Sequence, residues 1–157
     1  MKDKTLEIKY REYASAEELE ADDKELLEAA KAALAGSYAP YSNFNVGAAV
    51  RLGNGLIVRG ANQENSAYPS GLCAERTAMF SAASRYPDQP IVALALIAAQ
   101  KGVLQPAPTY PCGACRQVMA QYQQKAGQPM RIIVGSGKAV QIFDGVESIL
   151  PFIFTDI

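Results

Sequence analysis

The residues of this chain best suited to chemistry are its three cysteines, Cys73, Cys112 and Cys115. The last two form a C-x-x-C pair, a spacing that lets both sulfurs reach one metal ion where a turn enters a helix. Helix N-termini stabilise the thiolate, which is the form that binds zinc. Three protein ligands leave the fourth tetrahedral position to water, as in catalytic rather than structural zinc sites. The sequence therefore predicts a zinc enzyme.

Two charged residues that follow Cys73 fit such a site. Glu75 lies in the first turn of a predicted helix, where its carboxylate can take and return the protons of a water on zinc. Zinc lowers the pKa of a bound water from about 15.7 towards about 7. Three thiolates oppose this effect because they leave an excess of negative charge around the metal. We expect Arg76 to offset that charge by donating hydrogen bonds to a ligand sulfur.

Simpler interpretations of the same residues remain open. Single cysteines are often inert core residues, and Glu75 is also an ordinary acid for a first helical turn. Cys112 and Cys115 alone would suit a redox pair, which leaves Cys73 and Glu75 unexplained. A structural zinc site, in which the metal only staples a binding module, would need a fourth ligand that the sequence does not identify.

The overall composition narrows the class of protein and of partner. The chain has 157 residues, of which 49% are apolar and 20% charged, with a net charge of −1. These values are typical of a soluble globular domain and provide no strong attraction to nucleic acid or to anionic membranes. We therefore expect a small-molecule partner, with no nucleic acid and no membrane.

The chain contains no histidine and an odd number of cysteines. The lack of imidazole excludes Ser-His-Asp and Cys-His nucleophilic sites. Three cysteines cannot all pair within one chain, which argues against a secreted disulfide framework. The N-terminus is charged throughout, and the longest apolar run, 91–99, is too short to span a bilayer. We therefore expect a cytoplasmic protein.

Apolar periodicity and turn residues predict the elements that must position the cysteines. The predicted helices cover 15–36, 73–85 and 113–125. The predicted strands cover 45–52, 56–61, 91–99, 131–134 and 139–143. This order predicts an α/β fold with three α/β/α layers around a mixed sheet of about five strands.

Two details of the predicted fold concern the N-terminal part. A capping box between Ser15 and Glu18 marks the start of the first helix, because the serine caps and the glutamate reaches back. The apolar residues within 1–14 recur with no clear period, so we expect a partly ordered N-terminal arm. The remaining pattern shows no linker or internal repeat, which predicts a single domain over residues 1–157.

The motifs around the cysteines resemble those of the cytidine deaminase family. They are C-A-E-R at 73–76 and P-C-G-A-C-R-Q at 111–117. Three further motifs resemble the small, homotetrameric branch that acts on nucleosides: Y-S-N-F-N-V-G-A-A at 41–49, G-A-N-Q-E-N at 60–65 and I-L-P at 149–151. Cys73 favours this branch too, since polynucleotide deaminases and the larger dimeric branch typically have histidine there. The resemblance extends over about residues 25–154.

The resemblance implies hydrolytic deamination of cytidine and 2′-deoxycytidine in pyrimidine salvage. A water activated by one Zn²⁺ per chain would attack C4 of the pyrimidine while Glu75 protonates N3. Glu75 would then carry a second proton to the departing amine, which gives uridine and ammonia. A single carboxylate can serve each transfer in turn if it lies near the metal, the ring and the leaving group.

The resemblance also assigns substrate contacts. Asn62 and Glu64 match the pair that hydrogen-bonds the ribose hydroxyls, and Phe44 matches the aromatic residue that lies against the nucleoside. The backbone of Ala74 matches the group that contacts the edge of the base. Without the family match, Asn62 and Glu64 would be interpreted as polar loop residues and Phe44 as part of the core.

Two assignments imply an active site shared between subunits. Phe154 aligns with a C-terminal aromatic that a neighbouring subunit places over the base, although Phe152 is an alternative. Tyr68 aligns with another interface contact. The resemblance thus implies a homotetramer that is needed for activity.

The chain departs from the family pattern at three places, one of which is the C-terminal Phe152-Ile153-Phe154, bulkier than in the family. Its N-terminal arm is about twenty residues longer than the compact family form, and Tyr110 stands where the family often has a small residue. We expect Tyr110 to alter the rim of the site. A blasticidin-type antibiotic deaminase shares the cysteine motifs and is an alternative function, but the N-Q-E segment that starts at Asn62 argues against it. A polynucleotide deaminase would need a basic stripe, which the sequence lacks.

Overall fold

The computed structural model describes residues 1–155 and contains three α-helices and seven strands within them. The helices are α1 Ala21–Ala33, α2 Ala74–Arg85 and α3 Gly113–Ala126. The strands are β1 Arg11–Tyr13, β2 Phe44–Leu52, β3 Ile57–Ala61, β4 Ile91–Gln100, β5 Val103–Leu104, β6 Arg131–Gly135 and β7 Val140–Asp144. None of the described helices is long and apolar enough to cross a membrane. Residues 156 and 157 of the predicted domain lie outside the described residues.

The strands form one mixed sheet in the order β1-β7-β6-β4-β2-β3, with β5 paired to the end of β4. Strands β4 and β6 are parallel, and their other neighbours in the described sheet are antiparallel. The predicted α/β class is confirmed, but the sheet has seven strands rather than about five. The two additional strands, β1 and β5, have three and two residues, too few for an apolar period to reveal them.

Helix α1 covers one face of the sheet, and helices α2 and α3 cover the other. Leu26 of α1 packs in a core cluster with Ile133 of the sheet. On the opposite face, Met79 of α2 and Met119 of α3 pack in a second cluster with Leu94. Strand β4 is buried on both faces, which explains why its sequence is a continuous apolar run.

Helix α1 begins at Ala21, which corrects the predicted start at the capping box. Ser15 does cap a turn, since its hydroxyl accepts a 3.1 Å hydrogen bond from the backbone N–H of Glu17, but this is a single 3₁₀ turn. The backbone then becomes extended at Leu19 and Glu20, with ψ of 151° at each. A capping pattern identifies where a turn starts, and the extended residues after it decide that the helix does not continue.

Gly60 of β3 allows α2 to lie close to the sheet. A Cβ atom at Gly60 would lie 2.3 Å from the backbone nitrogen of Ala78 and 2.8 Å from the carbonyl oxygen of Ala74. Any side chain at this position would therefore push α2 outward. The close approach sets the position of the N-terminus of α2, where Cys73 is the N-cap residue.

Strand β1 forms an edge of the sheet through its pairing with β7. Arg11 donates to both carboxylate oxygens of Asp144, at 2.7 and 2.6 Å. Arg131 of β6 donates to the same carboxylate at 3.0 Å and makes a bidentate contact with the buried Asp23 of α1, at 2.8 and 2.6 Å. Part of the arm that we expected to be partly ordered is therefore an integral strand.

Candidate active site

The three cysteines converge at the N-termini of α2 and α3. Cys73 and Cys112 are the N-cap residues of the two helices, and Cys115 lies in the first turn of α3. The sulfur of Cys112 is 3.8 Å from that of Cys73 and 3.5 Å from that of Cys115. Tetrahedral zinc with thiolates at about 2.3 Å requires sulfur separations of about 3.8 Å. The donor set therefore fits zinc, with all three sulfurs within 4.8 Å of one another.

The surroundings of Cys73 stabilise its thiolate. Its pKa is lowered to about 5, first by a hydrogen bond from Cys115 and then by the Arg76 guanidinium. Arg76 Nη2 lies 3.5 Å from the Cys73 sulfur, which is the contact expected of the predicted donor. The Nε of Arg76 is buried and has no hydrogen-bond partner among residues 1–155. A cation and a helix N-terminus thus offset the negative charge that a thiolate cluster concentrates here.

Glu75 is buried beside this cluster, with 4% of its surface exposed. Burial raises the pKa of its carboxyl to about 7, because the charged form loses its hydration. A carboxyl with a pKa near neutrality can both accept and donate a proton at physiological pH. Glu75 is therefore chemically suited to proton transfer at the metal.

A cleft of about 540 Å³ opens next to Cys73. Five predicted site residues line it: Asn62, Glu64, Tyr68, Cys73 and Arg76. The remaining lining residues are Tyr41, Ser42, Gln63, Asn65, Gly71 and Leu72. Its volume falls within the range of about 300–1,000 Å³ that is typical of small-molecule sites. The cleft therefore has the size for a small ligand, one end of which would lie against Cys73.

Asn62 is held rigidly at the wall of the cleft. Its Oδ1 accepts hydrogen bonds from the Ser37 hydroxyl at 2.5 Å and from the backbone N–H of Val46 at 2.9 Å. Its Nδ2 donates to the carbonyl of Phe44 at 2.8 Å. One amide hydrogen of Asn62 is left without a partner among the described residues. Most of this side chain is thus used for loop structure, and one donor is available for a ligand.

Glu64 is held by the turn at Tyr41 and Ser42. Its Oε2 accepts from the backbone N–H groups of these residues at 2.9 and 3.3 Å, and its Oε1 accepts from the Ser42 hydroxyl. These bonds, first of all the one from the Ser42 side chain, lower the pKa of Glu64 below its ordinary value. The carboxylate therefore stays ionised and oriented at the cleft.

Comparison with known proteins identifies the family. The family model described as the cytidine and deoxycytidylate deaminase zinc-binding region matches residues 20–128, which include all three cysteines and Glu75. The chain belongs to this family. The predicted zinc cofactor is confirmed with it, because the matched region is a zinc-binding region and contains the cysteine cluster.

Individual deaminases of this family are similar over most of their length. A cytidine deaminase from Halalkalibacterium halodurans is 48% identical over 100 residues, which are 64% of this chain and 71% of the relative. The crystal structure of the cytidine deaminase from Burkholderia pseudomallei has a TM-score of 0.69 and 38% identity, and covers 83% of this chain and 97% of that chain. The crystal structure of the cytidine deaminase from Mycobacterium tuberculosis has a TM-score of 0.68 and 31% identity. It covers 87% of this chain and 100% of that chain. The predicted resemblance is confirmed.

These comparisons also show what this member of the deaminase family has in addition. The two crystal structures are covered almost completely, whereas part of this chain remains unmatched. The family model begins at residue 20, so strand β1 and the residues before it precede the matched region. This agrees with the longer N-terminal arm that the sequence indicates.

Of the other residues that the deaminase resemblance singled out, Tyr68 lines the cleft, whereas Phe44, Ala74 and Phe154 do not. Phe44 is half-buried at the start of β2, and Ala74 is buried in the first turn of α2. Tyr68 is 75% exposed and meets the ring of Tyr41 edge-on, with centroids 6.1 Å apart. Phe154 is 64% exposed. Within one chain, therefore, Tyr68 and Phe154 present exposed aromatic surface.

Sequence reasoning missed the roles of two residues that organise the site, Ser42 and Arg116. Ser42, which holds Glu64, belongs to the Y-S-N-F motif at 41–44, which carries the family resemblance but indicates no role for the serine. Arg116 donates from Nε to the carbonyl of Pro111 at 2.7 Å and from Nη1 to the carbonyl of Ile149, so it joins the Cys112 loop to the I-L-P segment. Its place directly after Cys115 is the only sequence signal for this role.

Proposed function

We propose that this chain is a zinc-dependent enzyme that hydrolyses cytidine and 2′-deoxycytidine to uridine and 2′-deoxyuridine, with release of ammonia. The observation that carries the proposal is the buried Glu75 beside three convergent cysteines, at the end of a cleft with two rigid polar groups. The relatives that are named cytidine deaminases support it.

Each residue of the site has its own role in the proposed reaction. Cys73, Cys112 and Cys115 hold zinc, which when bound supplies a water of lowered pKa as the nucleophile. Glu75 takes a proton from that water and passes it to N3 of the pyrimidine ring. Glu75 would then take the remaining proton of the same oxygen, now the hydroxyl on C4, and pass it to the exocyclic nitrogen, which leaves as ammonia while C4 becomes a carbonyl. Arg76 moderates the negative charge of the thiolates through its contact with Cys73.

The polar groups of the cleft suit a nucleoside rather than a free base. The free N–H of Asn62 and the ionised carboxylate of Glu64 form a donor and acceptor pair for the ribose hydroxyls. A free base would leave both groups unpaired in the site, which selects against it. Phe44 lies against the nucleoside, and the backbone of Ala74 at the start of α2 contacts the edge of the base.

The proposed enzyme is a homotetramer with active sites shared between subunits. The exposure of Tyr68 and Phe154 supports this, since large exposed aromatics are typical of contact surfaces. Phe154 of one subunit would cover the base in another, with Phe152 as the alternative. The three free cysteines support a reducing, cytoplasmic location, and the reaction would serve pyrimidine salvage.

An ultraviolet assay of the purified, zinc-loaded protein tests the proposal. Cytidine, 2′-deoxycytidine, cytosine and CMP are supplied separately, with ammonia release as a second readout. We expect turnover of the two nucleosides and little or none of cytosine. If no compound is turned over by a protein that retains its zinc, the chain is a zinc-stapled binding module instead.

A further inference from the structure

Strand β1 is connected to the loop that carries Cys112 by a continuous series of side-chain contacts. Gln141 of β7 lies opposite Glu12 of β1, and its Nε2 donates to Glu12 Oε2 at 2.6 Å. Oε1 of the same Gln141 accepts from the Tyr110 hydroxyl at 2.6 Å. Tyr110 stands two residues before Cys112. Three side chains therefore join the N-terminal strand to a metal-ligand loop.

An aromatic contact reinforces this series. The ring of Tyr10 stacks on Phe143 of β7, with centroids 5.3 Å apart and an interplanar angle of 26°. Tyr110 meets the same Phe143 edge-on, at 6.4 Å and 72°. Gln141 and Phe143 are two residues apart on β7 and so share one face of the sheet, the face that α2 and α3 cover. The ring and the hydroxyl of Tyr110 are thus both held by residues that the arm contacts. The sequence predicts that Tyr110 alters the rim of the site, whereas its described contacts are with Gln141 and Phe143 of β7.

Gln141 couples its two partners because it is a buried polar side chain, 6% exposed. A carboxylate only accepts hydrogen bonds, so Nε2 must face Glu12 and Oε1 is left for Tyr110. A buried amide that loses a partner is left with an unsatisfied polar atom, which costs free energy. The orientation of Gln141 therefore depends on both neighbours together.

Cys112 is the ligand that gains most from such support. It is exposed, whereas Cys73 is half-buried and Cys115 is buried. On the α3 side, the backbone next to Cys112 is held by Arg116, which donates to the carbonyl of Pro111. On the other side, the contacts of Tyr110 with Gln141 and Phe143 hold the chain. A ligand side chain that is already held in position loses less conformational entropy when the metal binds. The metal is therefore bound more tightly and released more slowly.

We propose that β1 is a positioning element of the metal centre, which acts through Gln141 and Tyr110 to hold Cys112 in place. The inference rests on the zinc site of the proposed function but not on its substrate. The arm reaches the zinc-binding region from outside the residues that the family model matches. Glu12, Gln141 and Tyr110 touch neither metal nor substrate, so they are positioning residues.

Arg11, the neighbour of Glu12 on β1, provides a matched control. Successive residues of a strand point to opposite faces, so the Arg11 ion pair with Asp144 lies on the α1 side of the sheet. Both partners of this pair are largely exposed, and such pairs contribute about 0–1 kcal/mol. Arg11→Gln therefore loosens the same strand and leaves the series from Glu12 to Tyr110 intact.

The rate of zinc release from the loaded protein to a chromogenic chelator tests the proposal. The proteins compared are the wild type, Glu12→Val, Tyr110→Phe, the double variant and Arg11→Gln, each first shown to be folded by circular dichroism. Replacement of groups that orient metal ligands typically costs 10–100-fold in affinity, so for these more distant residues we expect release to accelerate by about three- to tenfold. Because the two residues act through one amide, the double variant should be little faster than either single variant.

Two further readouts distinguish positioning from general stability. Glu12→Gln retains an acceptor for Gln141 and should restore slow release, and Co²⁺ in place of zinc should show an altered visible spectrum in Tyr110→Phe. Unchanged release in Glu12→Val and Tyr110→Phe would overturn the proposal, as would equally fast release in Arg11→Gln. A wild-type protein that binds no zinc would contradict the proposed function itself, which is a different result from equal release rates.

Discussion

The metal cluster and the substrate cleft are adjacent, yet a single chain encloses them to very different degrees. Glu75 and Cys115 are buried at the N-termini of two helices that pack on the sheet. The cleft, in contrast, is bordered by the exposed side chains of Tyr41 and Tyr68. In the proposed function, one chain supplies the groups for proton transfer, and a second chain would be needed to enclose the substrate. The predictions below test this division.

Glu75→Gln should cause the largest effect, because it removes the proton carrier and keeps the shape of the buried side chain. General acid–base catalysis contributes about 10²–10⁴-fold, and Glu75 serves more than one transfer, so we expect kcat for cytidine to fall by about 10³-fold or more. Zinc content, measured by atomic absorption, should stay at the wild-type level. A variant within tenfold of wild-type kcat would show that another group carries the protons.

In the zinc-free protein, the free energy of unfolding should depend on pH because Glu75 is buried. The pKa is about 7 in the folded chain against an ordinary 4.5, so the protonated form favours folding. This stabilisation is fully present below pH 4.5 and is lost as the pH rises through about 7, by roughly 3 kcal/mol. Urea unfolding at pH 5 and pH 8 in the presence of a chelator measures it. Cys73, whose pKa is lowered to about 5, adds an opposite dependence over the same range, so the contribution of Glu75 is the difference between zinc-free wild type and zinc-free Glu75→Gln. An equal dependence in both proteins would contradict the assignment.

In the cleft, Glu64→Gln should weaken nucleoside recognition and leave the metal in place. Hydrogen bonds to charged groups contribute about 1.5–3 kcal/mol, so kcat/KM for cytidine should fall by roughly 10–100-fold. The slow reaction of cytosine, which has no ribose, should change little, and steady-state assays with both compounds give the ratio. An equal loss for both compounds would mean that Glu64 supports the loop rather than the ribose.

The smallest effect is expected for substitutions of the exposed C-terminal aromatic residues, Phe152 and Phe154. These substitutions test whether a second subunit completes the cleft. Phe154→Ala should raise KM for cytidine by about tenfold, as for the loss of one aromatic contact of about 1.4 kcal/mol. Phe152→Ala, whose side chain is 96% exposed, is the matched control and should stay near wild type. Activity of the wild type should fall on dilution to a monomer, as followed by light scattering. The reverse order of the two variants would assign the contact to Phe152.

Much of the site was predictable from the sequence because its residues lie in short motifs. The C-x-x-C spacing requires only a turn and a helix start, and both are encoded by the residues between 111 and 117. Amphipathic and apolar periods likewise predicted the helices and five of the strands, since an element of five or more residues carries its own pattern. The start of α1 was wrong by six residues, Ser15 to Ala21, because extended backbone followed the cap.

The sequence by itself determined the three helices and five of the strands, which residues are able to bind zinc, and the family to which the chain belongs. Tertiary structure decided which distant groups meet. Strand β1 forms because β7 offers an edge more than a hundred residues away, and Asn62 has one free donor because Ser37, Phe44 and Val46 use the rest of its amide. A local sequence pattern reflects the secondary structure that its own segment favours. The contacts of β1 and of Asn62 depend instead on how segments far apart in the sequence pack together. That physical difference separates what the sequence predicted from what only the folded chain shows.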